Sequence, residues 1–181
     1  MPLSSQRGDG AAIAVDLVNS WDEYDDPPEL LSSRWLRRWL EWHGLDEAAA
    51  AVTEADVPRA RELRDRLAEA FDAPSEEQAV AVLNRLVAEL GTPPQLEPAD
   101  GGWRLRAWPD EDAGIDGAAA RGAVGLLESI RDLGWDRFGR CDGAPCRCVY
   151  VDRSRNRSRR YCCQLCADRM AQAAYRARLR S

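Results

Sequence analysis

Apolar side chains recur every three or four residues along most of the first 136 residues, a spacing that places them on one face of an α-helix. Such stripes run through residues 35–42, 60–71, 80–90 and 115–133. Glycine follows several of them, as at Gly44, Gly91 and Gly134, where it favours the end of a helix. The apolar segment 11–19 is compatible with either a helix or a strand. The pattern predicts a mainly α-helical unit.

One stretch departs from the helical spacing. Residues 95–97 and 103–108 flank the sequence Ala99-Asp100-Gly101-Gly102, and polar and apolar residues alternate around it. Alternation on both sides of a glycine pair is typical of a β-hairpin. We therefore predict one small hairpin near residues 94–108 within the helical unit.

Charge and cysteine both change abruptly near residue 136. The whole chain has a formal net charge of −6. Residues 1–136 hold 28 acidic residues and 13 arginines, a net of −15, whereas residues 137–181 hold 12 arginines and 3 aspartates, a net of +9. All six cysteines lie in the second segment. This segregation predicts an acidic helical domain over 1–136 and a basic, cysteine-rich domain over 137–181.

The acidic unit offers no catalytic constellation. It contains neither a phosphate-binding glycine loop nor a nucleophile elbow, and His43 is the single histidine of the chain. We expect His43 to interact with the dipole at a helix end, and Asp16 and Asn19 to lie at a solvated helix end. The tryptophan stripe of 35–42 is interpreted as core. The chain is therefore predicted not to be an enzyme.

The cysteines indicate a metal site instead of disulfides. No signal peptide or apolar run long enough for a membrane span is seen, so we expect a cytoplasmic protein with reduced thiols and no membrane partner. Cys141 and Cys146 form one close pair, and the second pair is either Cys162 with Cys166 or Cys163 with Cys166. Four thiolates close a tetrahedral Zn²⁺ site, so one structural zinc ion is predicted.

The residues around the cysteines predict a treble-clef-like zinc finger. Residues 148–151 alternate like a strand, 152–160 form a polar loop, and 164–179 are rich in strong helix formers. A turn, a short hairpin and a helix then carry the ligands. So small a unit has few apolar side chains, and structural zinc supplies on the order of 10–16 kcal/mol in small finger peptides.

Two runs carry a family resemblance. The run from Ser154 to Cys162, followed by Cys166-Ala167-Asp168-Arg169, resembles the CGNR zinc-finger family, although Ala167 and Asp168 replace the Gly and Asn of the name-giving motif. Residues 17–19 and 26–31 are similar to the helical ABATE domain that usually precedes this finger. The resemblance implies a stress-related transcription regulator, and it implies as zinc ligands Cys141, Cys146, Cys162 and Cys166.

The arginines of the finger form a candidate nucleic-acid surface, because arginine binds phosphate bidentately. Several lie in the polar loop, and three others lie near one face of the helix at positions i, i+7 and i+11. The predicted contact residues are Arg153, Arg155, Asn156, Arg157, Arg159, Arg160, Arg169, Arg176 and Arg180. We predict DNA as the partner, although such a stripe also suits RNA.

The opposite charges of the two segments leave a second interpretation open. The basic finger could dock on the acidic domain of its own chain or of a partner, and loop arginines could brace the finger through backbone carbonyls. The protein would then be an interaction or ligand-sensing module without nucleic-acid contact. In the regulator hypothesis, the helical domain binds a small-molecule effector or forms a homodimer.

Overall fold

The computed structural model describes residues 9–20, 32–91, 95–99, 102–106 and 113–180. This part contains seven α-helices and two antiparallel two-stranded sheets. In chain order the elements are α1 (Gly10–Val18), α2 (Ser33–Trp42), α3 (Asp46–Ala51), α4 (Asp56–Phe71), α5 (Glu76–Glu89), β1 (Gln95–Ala99), β2 (Gly102–Arg106), α6 (Gly114–Leu133), β3 (Phe138–Arg140), β4 (Val149–Val151) and α7 (Gln164–Arg178). The prediction of a mainly α protein with one small hairpin in its helical part is confirmed.

Helix α1 lies at the centre of the helical part. It packs so closely on α6 that a Cβ atom at Gly125 would overlap the backbone of Gly10 and Ala11. Gly122 makes a similar close approach to Ala14. The segment that the sequence left undecided is therefore a helix, and glycines on its neighbour allow the two backbones to meet.

The core of the helical part forms from the predicted apolar stripes. Leu63 and Leu67 of α4 and Leu83 of α5 are fully buried. Trp39 is also fully buried, and its indole N–H donates to the carbonyl of Ile13 at 3.3 Å. At the end of the same stripe, the side chain of Trp42 is 38% exposed, so the tryptophan stripe is core only over part of its length.

The polar residues of α1 are buried, which corrects the expectation of a solvated helix end. Asp16 and Asn19 are 6% and 4% exposed. His43 is buried as well, and its Nε2 lies 3.0 Å from Oδ2 of Asp16. His43 was expected only to interact with the dipole at a helix end. In the structure it also forms a hydrogen bond that connects the end of α2 to α1. These polar side chains are buried because α1 lies at the centre of the helical part.

The C-terminal segment contains the predicted turn, short hairpin and helix, with the turn lying between the two strands of the hairpin instead of before them. β3 pairs with β4, Gly139 lying opposite Tyr150, and the turn between the strands carries Cys141 and Cys146. Helix α7 then follows the polar loop. Val149 and Val151 belong to the same hydrophobic core as α1, α4 and α6, so the hairpin packs directly on the helical part. A domain boundary near residue 136 stays a prediction.

Candidate metal centre and nucleic-acid interface

Four sulfur atoms meet between the hairpin turn and the first turn of α7. They belong to Cys141, Cys146, Cys162 and Cys166, and all lie within 4.8 Å of one another. The Sγ of Cys162 is 3.7 Å from that of Cys146 and 3.6 Å from that of Cys166. A tetrahedron with Zn–S bonds of about 2.3 Å has sulfur–sulfur edges of about 3.8 Å. The cluster therefore fits one zinc ion.

Two hydrogen-bond donors, one from the backbone and one from a side chain, lie against sulfur atoms of the cluster. The backbone N–H of Gly143 donates to the Sγ of Cys141 at 3.4 Å. A guanidinium nitrogen of Arg169 lies 3.6 Å from the Sγ of Cys166 and donates to the carbonyl of Gly143 at 2.7 Å. Arg169 thus joins the two halves of the cluster, the hairpin turn and the helix.

The buried thiols favour a bound cation. Burial and the neighbouring Cys162 raise the pKa of the Cys166 thiol to about 12, and burial also raises the pKa of Cys146. Thiolates in this environment need a compensating positive charge, which a divalent cation supplies as it displaces the thiol protons. Four thiolates close the tetrahedral shell and leave no open position, so the site suits a structural zinc ion.

Two further cysteines lie outside the group of four sulfurs. Cys163 is the N-cap residue of α7 and is partly exposed, and its Sγ lies 3.8 Å from that of Cys162. Cys148 is buried directly before β4. Spacing alone left either Cys162 or Cys163 possible, and the cluster contains Cys162, as the family resemblance implied.

These features define a class: a helical protein that ends in a four-cysteine, treble-clef-like zinc finger. Residues 11–130 match the family model ABATE, described as "Putative stress-induced transcription regulator", and residues 137–179 match the CGNR zinc finger. The chain therefore belongs to the ABATE family, and the resemblance to both families is confirmed. A comparison with curated proteins gives no match.

The family assignment agrees with the chemistry of the site. The two matching families are a regulator family and a zinc-finger family, and neither is an enzyme family. The four buried cysteines are positioned to bind one zinc ion, as predicted. In the part of the chain that the structure describes, no helix combines the length and apolar character needed to cross a bilayer.

Two of the predicted contact arginines hold the finger together. Arg169 bridges the two halves of the metal cluster. The guanidinium of Arg159 donates to the carbonyls of Tyr161, at 3.1 Å, and of Cys162, and its Cζ lies 5.0 Å from the ring centroid of Tyr150. Such bracing is the alternative role that the sequence suggested for the loop arginines, and these contacts support that role for Arg159.

Three other predicted arginines form ion pairs at the surface. Their side chains are between 37% and 68% exposed. The pairs and their N–O distances are Arg153–Asp9 at 2.5 Å, Arg157–Asp136 at 2.6 Å and Arg160–Asp142 at 2.9 Å. Exposed ion pairs contribute only about 0–1 kcal/mol, so these arginines could exchange a carboxylate for a phosphate at low cost.

The remaining predicted residues lie open to solvent. Arg155 and Asn156 are exposed in the loop, and Arg176 and Arg180 are exposed on the last part of the chain. None of these three arginines forms an ion pair with a residue that the structure describes. Within α7 only Cys166 is buried, and every residue from 171 to 180 is exposed.

One important residue, Asp152, was not predicted from the sequence. It follows β4 directly, is 4% exposed, and accepts hydrogen bonds from the backbone N–H groups of Ser154 at 2.7 Å and Arg159 at 3.0 Å. Although burial opposes ionisation, hydrogen bonds from Ser154 and Arg159 lower the pKa of Asp152. Through these two hydrogen bonds Asp152 shapes the polar loop. The signal for this role in the sequence was an aspartate placed between a buried strand and a polar loop.

Proposed function

We propose that this protein is a DNA-binding transcription regulator that presents α7 and the adjoining loop, residues 153–160, to duplex DNA. The observation that supports the proposal is the exposure of α7 beyond its first turns. The metal cluster holds the start of the helix through Cys162 and Cys166, and the rest projects into solvent. Zinc then fixes the direction of the helix without taking part in contacts to nucleic acid.

The dimensions and chemistry of α7 suit a DNA groove. Its 15 residues, at about 1.5 Å each, form a slender rod, and the major groove admits one α-helix. Arg169, Arg176 and Arg180 lie near one face, so the two exposed arginines can reach phosphates while Arg169 keeps the helix on the cluster. The exposed Arg155 extends the basic surface into the loop.

Binding to duplex DNA as a function of salt tests this proposal. The zinc-loaded full chain is titrated into labelled duplex DNA and followed by fluorescence anisotropy. We expect log K to fall linearly with log salt. The variant Arg176→Ala/Arg180→Ala should lower the slope by about 1 for each phosphate that the protein no longer neutralises.

The matched control replaces exposed arginines of the helical part, Arg61→Ala/Arg85→Ala, and should leave the slope unchanged. No binding at low salt, or an equal effect of both double variants, would reject the DNA interface on α7. A single-stranded RNA of the same length, measured in parallel, distinguishes the two kinds of nucleic acid, since tighter binding of RNA contradicts the duplex assignment.

A second candidate function is association with another protein through α7. The observation in its favour is a stripe of exposed apolar side chains on the helix, in which Leu165 and Leu179 are 70% exposed and Tyr175 is 57% exposed. At helical spacing these three residues share one face, next to the arginines. A second copy of the chain could bury this stripe and form a homodimer.

Sedimentation of the zinc-loaded protein tests the second candidate. A dimer that dissociates in Leu165→Ser/Leu179→Ser, together with no binding to nucleic acid, would favour the protein interface over the DNA interface. A monomer at all concentrations would remove the homodimer from consideration.

A further inference from the structure

The finger contains three acidic residues among its twelve arginines, and two of the three have a structural role. Asp142 forms the ion pair with Arg160, and Asp152 shapes the polar loop. The third, Asp168, lies exposed on α7 and forms no ion pair with any residue that the structure describes. A carboxylate on an otherwise basic surface weakens the attraction of that surface for phosphate, so its position needs a specific explanation.

One hydrogen bond orients the side chain of Asp168. The Nε2 of Gln164, one turn earlier in α7, donates to Oδ1 of Asp168 at 2.7 Å. The amide is neutral, so it orients the carboxylate without neutralising it. Among the described residues Gln164 is the one hydrogen-bond partner of this carboxylate, so the second oxygen can accept from a donor outside the protein.

The helix dipole does not explain the carboxylate. The dipole favours negative charge within the first turn of a helix, whereas Asp168 is the fifth residue of α7. Asp168 instead begins a row of polar side chains, because Gln172 and Arg176 follow at successive steps of four residues and are exposed. Residues four apart are neighbours on one helix face, about 6 Å apart along the axis.

The first position of this row is also the one whose place is best fixed. Cys166 belongs to the metal cluster, and Arg169 donates to the carbonyl of Gly143 in the hairpin turn, so both anchor the start of α7. Asp168 lies between these two anchors in the sequence. A side chain that distinguishes one base from another needs such a fixed position, whereas a contact to phosphate tolerates more variation.

A carboxylate is selective among the groups that DNA exposes. Phosphate oxygens, the O6 and N7 of guanine and the O4 of thymine are acceptors and repel it. Adenine offers its N6 amino group next to the acceptor N7, whereas cytosine offers its N4 amino group in the major groove without an acceptor of its own beside it. Cytosine is therefore the base that an aspartate on this face favours most.

We propose that Asp168 is a specificity-determining residue that recognises a C·G base pair by accepting a hydrogen bond from the N4 amino group of cytosine. Gln164 is its positioning residue, because it restricts the carboxylate to one orientation. Arg176 supplies affinity through phosphate, and Asp168 selects among sequences. The inference rests on the proposed function, since it assigns a base pair to the helix that contacts duplex DNA.

Selection from a library of duplexes with a randomised central segment tests this role. The zinc-loaded full chain selects the duplexes, and its affinity for a selected duplex is then measured by fluorescence anisotropy. We expect a C·G pair to be enriched at one position. Replacing that pair by each of the other three base pairs should weaken binding roughly tenfold.

Three variants are measured on the same four duplexes, and a zinc content near one shows that each finger is intact. Asp168→Ala should bind all four with equal affinity, and the three without the C·G pair more tightly than wild type does, because a repulsive charge is removed. Gln164→Ala should reduce the preference for C·G and leave the affinity for an unrelated duplex unchanged. Glu69→Ala, on the exposed face of α4, removes the same charge elsewhere and should keep the full preference.

The role of Asp168 is overturned if selection enriches no C·G pair, if Asp168→Ala keeps the preference, or if Glu69→Ala loses it equally. Tighter binding of Asp168→Ala to all four duplexes by one factor would show that the carboxylate only repels DNA, and would overturn the role as well. Unchanged preference in Gln164→Ala contradicts the positioning role of Gln164.

The two proposals fail in different measurements. Absence of duplex binding in the salt titration removes the DNA interface and, with it, the recognition of a base pair by Asp168. Salt-dependent binding without a selected C·G pair leaves the DNA interface intact and removes only the role of Asp168.

Discussion

The side-chain amide of Asn19 hydrogen-bonds both backbone groups of Val149, a residue 130 positions later in the chain. Its Oδ1 accepts from the N–H at 2.7 Å, and its Nδ2 donates to the carbonyl at 2.9 Å. Both residues are buried, at 4% and 0% exposure. Because Asn19 ends α1 and Val149 begins β4, one amide connects the central helix of the ABATE domain to the hairpin of the zinc finger.

Replacing Asn19 with Ala should destabilise the protein by about 3 kcal/mol, because two buried backbone groups of Val149 lose their partner and each unsatisfied group costs about 1–3 kcal/mol. Urea unfolding of the zinc-loaded chain measures the change. Asn84→Ala, on the exposed face of α5, is the matched control with an expected change near zero. Equal stability of both variants would mean that the hairpin is not held by this amide.

The same relationship shows a limit of prediction from sequence. Helical spacing and the cysteine pairs predicted the fold class and the zinc cofactor, because both are encoded locally. Asn19 was expected at a solvated helix end, since the sequence of α1 contains no information about its contact with a strand 130 residues later. The burial of Asp16 against His43 has the same origin, because it depends on how α1 and α2 pack.

The finger arginines illustrate a second limit. Arg155 and Arg159 are separated by four positions in the same polar loop, yet the first is exposed and the second is bonded to backbone carbonyls. Both residues are arginines of one polar loop, so only the three-dimensional course of the loop distinguishes their contacts. Their roles in binding nucleic acid stay predictions.

Substitution of zinc ligands should separate the six cysteines into two groups. Cys146→Ser or Cys166→Ser should reduce the zinc content of freshly purified, reduced protein from near one per chain to near zero, because three thiolates no longer close the site. The helical part should stay folded, though with lower stability, since the unfolded finger withdraws Val149 and Val151 from the shared core.

The controls for that measurement are Cys148→Ala and Cys163→Ser, whose sulfurs lie outside the group of four. Both should keep a zinc content near one. Loss of zinc from Cys163→Ser with retention in Cys162→Ser would contradict the ligand assignment.

Replacing Arg159 with Met should weaken the finger, and replacing Arg155 with Met should not. Arg159→Met removes hydrogen bonds to the carbonyls of Tyr161 and Cys162, at a cost of about 1–2 kcal/mol after allowance for its solvent exposure. Competition with a chelator measures the difference, and we expect faster zinc loss from Arg159→Met alone. Equal zinc retention by both variants would show that Arg159 does not brace the finger and is as available for other contacts as Arg155.

Asp152 should support the loop of the finger across the neutral range of pH. Its pKa is lowered, because hydrogen bonds from Ser154 and Arg159 outweigh the opposing effect of burial. A carboxylate whose folded pKa lies below its unfolded value, about 3.9, contributes stability above that value and loses it as the pH falls through the folded pKa.

The difference in unfolding free energy between wild type and Asp152→Asn should therefore be constant between about pH 5 and 8, because the carboxylate stays ionised throughout this range. We expect a difference of about 2 kcal/mol, since the backbone N–H groups of Ser154 and Arg159 lose a charged acceptor. Asp168→Asn, at an exposed carboxylate of α7, is the control and should change stability by less than about 0.5 kcal/mol. A difference that disappears as the pH falls from 7 to 5 would show that burial prevails over the hydrogen bonds and that the pKa of Asp152 is raised.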